Sequence, residues 1–165
     1  MYKLAATCVS MINMFEYKMT AAIEHDFASR ISYELKRAER YRIFLSLLVF
    51  NLGPVVDRGG TAGVTEDDTR EKFLSDIRLF LGHTVREIDA ISNTNNIKVG
   101  LLLPETSRQG AEAAARRLGQ QISGFCNEYF PQTSDHFIPV EISSYPDAAG
   151  ARAIQDYIGE FNKGN

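Results

Sequence analysis

Hydrophobic residues recur at two different spacings along the chain, and the change of spacing predicts an alternation of helices and strands. From Asp26 onward, apolar residues repeat every three or four positions, which predicts a helix with one apolar face. These apolar positions are Phe27, Ile31, Leu35 and Ala38. The next apolar run, from Phe44 to Phe50, is short and rich in strand-forming residues, and the segment Asn51-Leu-Gly-Pro54 ends it. It therefore predicts a central strand that is buried on both faces.

The rest of the chain continues this alternation as far as the last helix. The pattern predicts a glycine-containing loop over residues 55–64, a helix capped by Thr65 through about Leu81, a strand over 85–92, a tight turn at 93–96, a strand from Ile97 to Leu103, an alanine-rich helix from Thr106 or Ser107 to about Tyr129, a strand over 137–143 and a final helix over 147–161. This order favours an α/β (α+β) fold in which helices pack on a single sheet.

Residues 1–25 form a separate unit of the predicted organisation, ahead of a domain over residues 26–165. All four methionines lie in this segment, and its apolar residues recur at helical spacing, which predicts an amphipathic helix. The apolar positions are Leu4, Cys8, Met11, Phe15 and Ile23. Two interpretations remain open: a dimerisation or signalling helix that packs on a partner, and a helix that folds back on its own core.

Charge and composition exclude several classes of protein. The 165 residues carry 18 basic and 21 acidic side chains and a net charge of -3, which excludes a nucleic-acid binder that depends on a bulk basic field. An anionic ligand would have to be held by a few local arginines. No apolar run is long enough to cross a bilayer, so we expect no membrane segment in this chain and a cytoplasmic protein. Cys8 and Cys126 have no metal or disulfide spacing, and we interpret them as free thiols.

Common catalytic patterns are absent from the sequence. His25, His83 and His136 are scattered, which indicates structural or surface roles, and no nucleophile motif is present. The segment Gly59-Gly60-x-x-Gly63 lacks the lysine and the spacing of a phosphate-binding loop, so we interpret it as a flexible loop.

Several short motifs, taken in order, resemble the GGDEF family, the diguanylate cyclase domains that join two GTP molecules into cyclic di-GMP. The matching stretches are Phe27-x-x-Arg30-Ile31-x-x-Glu34-Leu35-x-Arg37-Ala38-x-Arg40-Tyr41, Leu45-Ser46-Leu47-Leu48, Arg86-x-x-Asp89, Leu101-Leu-Leu-Pro-Glu-Thr106, Gly110-Ala111, Ala115-x-Arg117-Leu118 and, more weakly, Val140-Glu-Ile142, Tyr145-Pro-Asp147 and Lys163-Gly-Asn165. The resemblance covers residue 26 to the end. It implies a nucleotidyl-cyclase fold: a ferredoxin-like core with a mostly antiparallel central sheet, flanking helices and the signature motif on a hairpin turn.

The residues that carry catalysis in that family are replaced here. The five signature positions fall on Asn95, Asn96, Ile97, Lys98 and Val99, so a lysine stands where the resemblance implies a metal-binding carboxylate. The other two carboxylate positions, after the first strand, read Asn51 and Gly53. Magnesium prefers charged oxygen ligands. We therefore expect no magnesium, no cofactor, no catalytic residue and no synthesis of cyclic di-GMP.

In contrast to the catalytic positions, the residues of a second site of the family are present in this sequence. Arg86 and Asp89 lie nine residues ahead of the signature turn, where the resemblance implies an Arg-x-x-Asp inhibitory site that binds cyclic di-GMP, and Arg117 matches a third residue of that site. An arginine can donate to the O6 and N7 edge of guanine, and an aspartate can accept from its N1 and N2 donors. The alternative is a surface ion pair between Arg86 and Asp89, with Arg117 as a solvated helix residue. Further ligand contacts could come from Arg30, Arg37, Arg40 or Arg78.

The sequence therefore gives two hypotheses from different classes. The first is a catalytically inactive GGDEF-like domain that binds cyclic di-GMP through Arg86, Asp89 and Arg117 and acts as a homodimer or with a partner signalling domain. The second is an interaction module without a ligand that dimerises or scaffolds through its methionine-rich segment. A third, weaker hypothesis is GTP binding without turnover.

Overall fold

The computed structural model describes residues 26–59, 66–92, 97–129, 137–146 and 152–162. Its elements are α1 (Phe27–Tyr41), β1 (Leu45–Asn51), α2 (Gly53–Gly59), α3 (Glu66–Thr84), β2 (Ala90–Ile91), β3 (Lys98–Pro104), α4 (Arg108–Tyr129), β4 (Val140–Tyr145), a 3₁₀ helix (Ile154–Tyr157) and α5 (Ile158–Asn162). No helix among these residues combines the length and the apolar character that crossing a membrane requires.

The four strands form one sheet in the order β2-β3-β1-β4, and every neighbouring pair is antiparallel. With α2 and α3 between β1 and β2, and α4 between β3 and β4, this is the ferredoxin-like order that the resemblance implied. The register places Leu45 opposite Pro104 and Asn51 opposite Lys98. The end of β1 and the start of β3 therefore lie side by side at one end of the two central strands.

Strand β1 is buried on both faces, which confirms its prediction as a central strand. Leu48 and Phe50 belong to a core shared with α3 and α4, whereas Leu47 and Val49 belong to a second core shared with α1 and the 3₁₀ helix. Because successive strand residues point to opposite faces, a continuous apolar run is what a sheet covered on both sides requires.

Helix α2 corrects the loop predicted over residues 55–64, since residues 55–59 are helical. Proline is tolerated in a first helical turn because its missing N–H would have no partner there. Pro54 occupies that turn, and the Asn51 side chain accepts a hydrogen bond from the Gly53 N–H at 2.9 Å. Val55 is buried in the core beneath the helix. The prediction of a loop from the glycines was therefore wrong for residues 55–59.

The strand predicted over residues 85–92 is also wrong over most of its length. Only Ala90–Ile91 pair with β3, and residues 86–89 form a turn. The other boundaries differ less: α3 ends three residues later than predicted, β4 runs from Val140 to Tyr145, and the last helical segment begins as a 3₁₀ turn at Ile154. Helix α4 begins close to the predicted Ser107, whose Oγ accepts from the Gly110 N–H at 3.3 Å.

Several predictions lie outside the described residues. These are the helix over residues 1–25, Cys8, His25, Gly60, Gly63, Thr65, the turn with Asn95 and Asn96, His136 and the segment Lys163-Gly-Asn165.

Helix α5 docks on the sheet through an aromatic contact at a glycine. The rings of Phe27 and Phe161 meet edge to face, with centroids 4.8 Å apart. Both rings lie over Gly100 of β3, where an added Cβ would come within 2.6 Å of Phe161 Cζ and 2.7 Å of Phe27 Cε1. A side chain at this position would therefore push the start of α1 and α5 away from the sheet.

We predict that Gly100→Ala lowers the free energy of unfolding by about 1–3 kcal/mol, the usual cost of overpacking a core. The matched control is Gly119→Ala in α4, where an added Cβ meets no atom within 4 Å. This control should leave stability unchanged or raise it by up to about 1 kcal/mol, because alanine favours a helix interior. Urea unfolding followed by circular dichroism measures both, and equal stability of the two variants would contradict the packing described.

Candidate ligand-binding site

The segment Arg86–Asp89 forms a closed turn between the end of α3 and the start of β2. The Asp89 N–H donates to the Arg86 carbonyl at 3.0 Å, and the Arg86 N–H donates to Asp89 Oδ2 at 2.9 Å. Glu87 and Ile88, at the tip of the turn, are exposed. The two reciprocal hydrogen bonds hold residues 86 and 89 side by side and fix the orientation of the carboxylate.

Among the described residues, the second oxygen of this carboxylate has no hydrogen-bond partner. Asp89 Oδ1 is buried, and no donor reaches it in the described part of the chain. Burial raises the pKa of Asp89, and the hydrogen bond from the Arg86 N–H and the charges of Arg86 and Arg117 only partly oppose that rise. A buried acceptor without a donor is unusual in folded proteins and calls for an explanation such as a ligand or an ordered water.

Arg117 of α4 lies near enough for its charge to oppose the rise in the pKa of Asp89, but among the described residues no hydrogen bond or ion pair joins it to Arg86 or Asp89. Arg86 and Arg117 are both exposed. Within the described residues, neither guanidinium group forms an ion pair. The Arg86–Asp89 surface ion pair that sequence reasoning left open is therefore not present, and both cations can donate to an anionic molecule.

Of the four additional arginines considered from the sequence, two are occupied by a buried carboxylate. Glu34 of α1 is 3% exposed and accepts from Arg30 at 2.9 Å and from Arg37 at 3.0 Å. Arg37 also pairs with Glu105 at 2.7 Å. The i,i+3 and i,i+4 spacing of these residues was a sequence signal for the pairs.

The other two arginines have different surroundings. Burial lowers the pKa of Arg78 in α3, and this side chain has interaction partners of its own. Arg40 is exposed and lies over the ring of Tyr41, 5.5 Å from its centroid. The described residues therefore bring none of the four into hydrogen-bond contact with Asp89.

Strand β3 carries the signature positions Lys98 and Val99, and we call it the signature strand. Lys98 Nζ is 2.5 Å from Glu160 Oε1 of α5, Val99 is buried, and the Ile97 carbonyl accepts from the Leu52 N–H at 2.7 Å. In the part of the chain that the structure describes, no three His, Cys, Asp or Glu residues come together as a possible metal site. Sequence reasoning missed Glu160, since 62 residues separate it from Lys98 and no local pattern joins them.

Comparison with known proteins supports the fold. No protein-family model matches the chain, and no curated protein sequence matches it. Among solved structures, the diguanylate cyclase SiaD of Pseudomonas aeruginosa, in complex with its activator SiaC, is similar at 14% identity and a TM-score of 0.54. The match covers 98% of this chain and 64% of that one, so this chain spans less than two thirds of its length.

A second solved structure, a DGC protein from Thermotoga maritima, is similar at 17% identity and a TM-score of 0.47, over 84% of this chain and 92% of that one. The chain thus has the fold of diguanylate cyclase (GGDEF-like) domains, as its sheet order and the resemblance in sequence had indicated.

We predict that Asp89→Asn stabilises the protein increasingly as pH rises. The raised pKa means that the folded state favours the neutral carboxyl group, so the stability that this group contributes is present below the ordinary pKa of an aspartate and is lost as pH rises through the folded pKa. Asparagine keeps an acceptor for the Arg86 N–H but does not ionise. Urea unfolding across a pH series measures the difference between variant and wild type, and a difference independent of pH would contradict the prediction.

Proposed function

We propose that this chain is a catalytically inactive GGDEF-like signalling domain of the cytoplasm that binds cyclic di-GMP at Arg86, Asp89 and Arg117. The observation that carries the proposal is the buried Asp89 Oδ1, which has no hydrogen-bond partner among the described residues, together with two exposed arginines whose charges act on the same carboxyl group. We further propose that the domain works as a homodimer or with a partner signalling protein.

The chemistry of the turn suits a guanine base with a phosphate nearby. The free Asp89 Oδ1 can accept from the N1 and N2 donors of guanine, and a guanidinium group can donate two hydrogen bonds to the O6 and N7 edge. Because one guanidinium group is enough for the guanine edge, the second arginine remains available to bind a phosphate. Because the reciprocal hydrogen bonds of the turn already orient the carboxylate, little conformational entropy has to be lost when the ligand binds.

Catalytic inactivity is proposed from the residues where the end of β1 meets the start of β3. The Lys98 ammonium lies where the resemblance implies a metal carboxylate, and the Asn51 amide oxygen is already used by the Gly53 N–H. A cation at this position repels Mg²⁺, which needs negatively charged oxygen ligands to replace part of its hydration shell. Without the metal, the charge of a transferring phosphate would not be stabilised.

We predict that wild-type protein binds cyclic di-GMP in the micromolar range by titration calorimetry. Arg86→Ala, Asp89→Asn and Arg117→Ala should each weaken binding by about tenfold to a hundredfold, since a hydrogen bond to a charged group contributes about 1.5–3 kcal/mol. The matched control is Arg116→Ala, which removes the neighbouring exposed arginine of α4 and should bind like wild type. Equal loss in Arg116→Ala would indicate a general electrostatic effect and not a site.

A second titration outcome would favour the alternative function. If the wild type releases no heat at high ligand concentration, the chain is better explained as an interaction module without a ligand. The observation in favour of that function is a set of exposed aromatic residues on and just after α1: Tyr33 is 63% exposed, Tyr41 61% and Phe44 51%. Large aromatic side chains at a protein surface are characteristic of contacts with other proteins.

We predict that incubation with GTP and Mg²⁺ leaves the GTP unchanged. The physical reason is the ammonium group of Lys98 at the position implied for a metal ligand. Chromatography of the nucleotides over time measures turnover, with an active diguanylate cyclase in a parallel reaction to establish that the assay detects product. Linear accumulation of cyclic di-GMP would refute the proposed inactivity.

A further inference from the structure

A cavity of about 270 Å³ lies between α1, β4 and the segment that leads into the 3₁₀ helix. The register places Tyr145 of the cavity wall beside Leu45, whereas Lys98 pairs with Asn51 at the other end of β1. Because each strand residue advances the chain by about 3.3 Å, these two ends of β1 are about 20 Å apart. The Arg86–Asp89 turn is also remote, since β2 and β4 are the outer strands of the sheet. The cavity therefore belongs to neither of the sites described above.

Part of the cavity lining is apolar. Leu35 of α1 and Tyr145 of β4 are half-buried and pack against the core that contains Ile154, which is 3% exposed. We call these three residues the apolar wall. A hydrocarbon chain placed on this wall would leave water, which favours binding.

Two hydrogen-bond acceptors of the cavity remain available. Glu39 lies one helical turn after Leu35 on the same face of α1, and its exposed carboxylate has no ion pair or hydrogen bond among the described residues. Ser143 points to the same face of the sheet as Tyr145, and its Oγ donates its only proton to the Arg152 carbonyl at 2.6 Å. The Ser143 hydroxyl is therefore left with lone pairs that can accept.

Arg152 is the second charged residue of the lining, and its charge is already compensated. Its Nη1 is 2.7 Å from Glu160 Oε2, and its Nη2 donates to the Asp156 carbonyl at 2.9 Å. The guanidinium group also lies over the Tyr157 ring, 3.9 Å from its centroid. In the part of the chain that the structure describes, Glu39 is thus the charged residue of the lining that lacks a partner.

We propose that this cavity binds a small aliphatic amine, with its ammonium group at Glu39 and its hydrocarbon chain on the apolar wall. An ammonium group has three donors and no acceptor, which suits a carboxylate and a hydroxyl whose own proton is already used. An anionic ligand would instead meet the unpaired carboxylate of Glu39 and a guanidinium group that Glu160 occupies. The volume is below the roughly 300–1,000 Å³ of pockets for drug-sized molecules, so the ligand is smaller than a nucleotide.

The test uses diaminobutane as the probe and the isotope-labelled full chain in nuclear magnetic resonance titrations. Amide resonances of residues 143–145 and 152–155 should shift saturably as the diamine is added. Its neutral analogue butanediol has the same hydrocarbon chain but no ammonium group, and it should cause no saturable shift. Both titrations use the wild type, so they do not depend on a variant that folds.

A pair of matched variants tests the role of the carboxylate. Glu39→Gln should weaken binding of the diamine at least about tenfold, because it replaces a charged acceptor by a neutral one of similar size. The control is Glu128→Gln, which neutralises an exposed carboxylate of α4 outside the cavity and should bind like wild type.

Several outcomes would overturn the proposal. These are the absence of a saturable shift in the wild type, saturable shifts with butanediol as large as those with the diamine, and shifts confined to residues 86–89 or 97–99. Equal weakening in Glu39→Gln and Glu128→Gln would also overturn it, since that result indicates a general attraction of the diamine to acidic surface groups.

Discussion

The burial of β1 on both faces is the constraint on which the rest of this fold depends. Its apolar residues can leave water on both sides only if helices cover both faces of the sheet, and the alternating directions of its side chains assign them to two cores. The same strand pairs with β3 and β4, so its position sets the register of the sheet. The register then sets Asn51 opposite Lys98 and, through β3, places β2 and the Arg86–Asp89 turn.

Sequence patterns predicted most of this architecture because its main elements are long or strongly apolar. Helix α1, β1, β3 and α4 were found from periodicity to within a few residues. The failures have physical causes. In α2, an asparagine side chain and a first-turn proline make a short helix out of a segment that looks like a loop. Ahead of β2, the Asp89 carboxylate binds the Arg86 N–H and closes a turn in residues that have strand character.

The candidate site was predictable in part. The offset of Arg86 and Asp89 from the signature positions, together with the resemblance, identified two residues that the structure joins in one turn and a third, Arg117, whose charge acts on Asp89. What the sequence could not indicate is the unequal use of the two Asp89 oxygens, since that depends on the burial of one of them in the folded chain. The pairing of Lys98 with Glu160 was equally hidden, because only the docking of α5 brings β3 and the carboxylate together.

Phe27 is both the first residue of α1 and the partner of Phe161 in α5. It therefore stands between the polypeptide that precedes residue 26 and the contact that keeps α5 against β3. The same two rings lie on Gly100, so the first turn of α1, the last helix and β3 share a single point of contact. Because glycine is the one residue without a side chain, that point leaves room for both rings only while position 100 is a glycine.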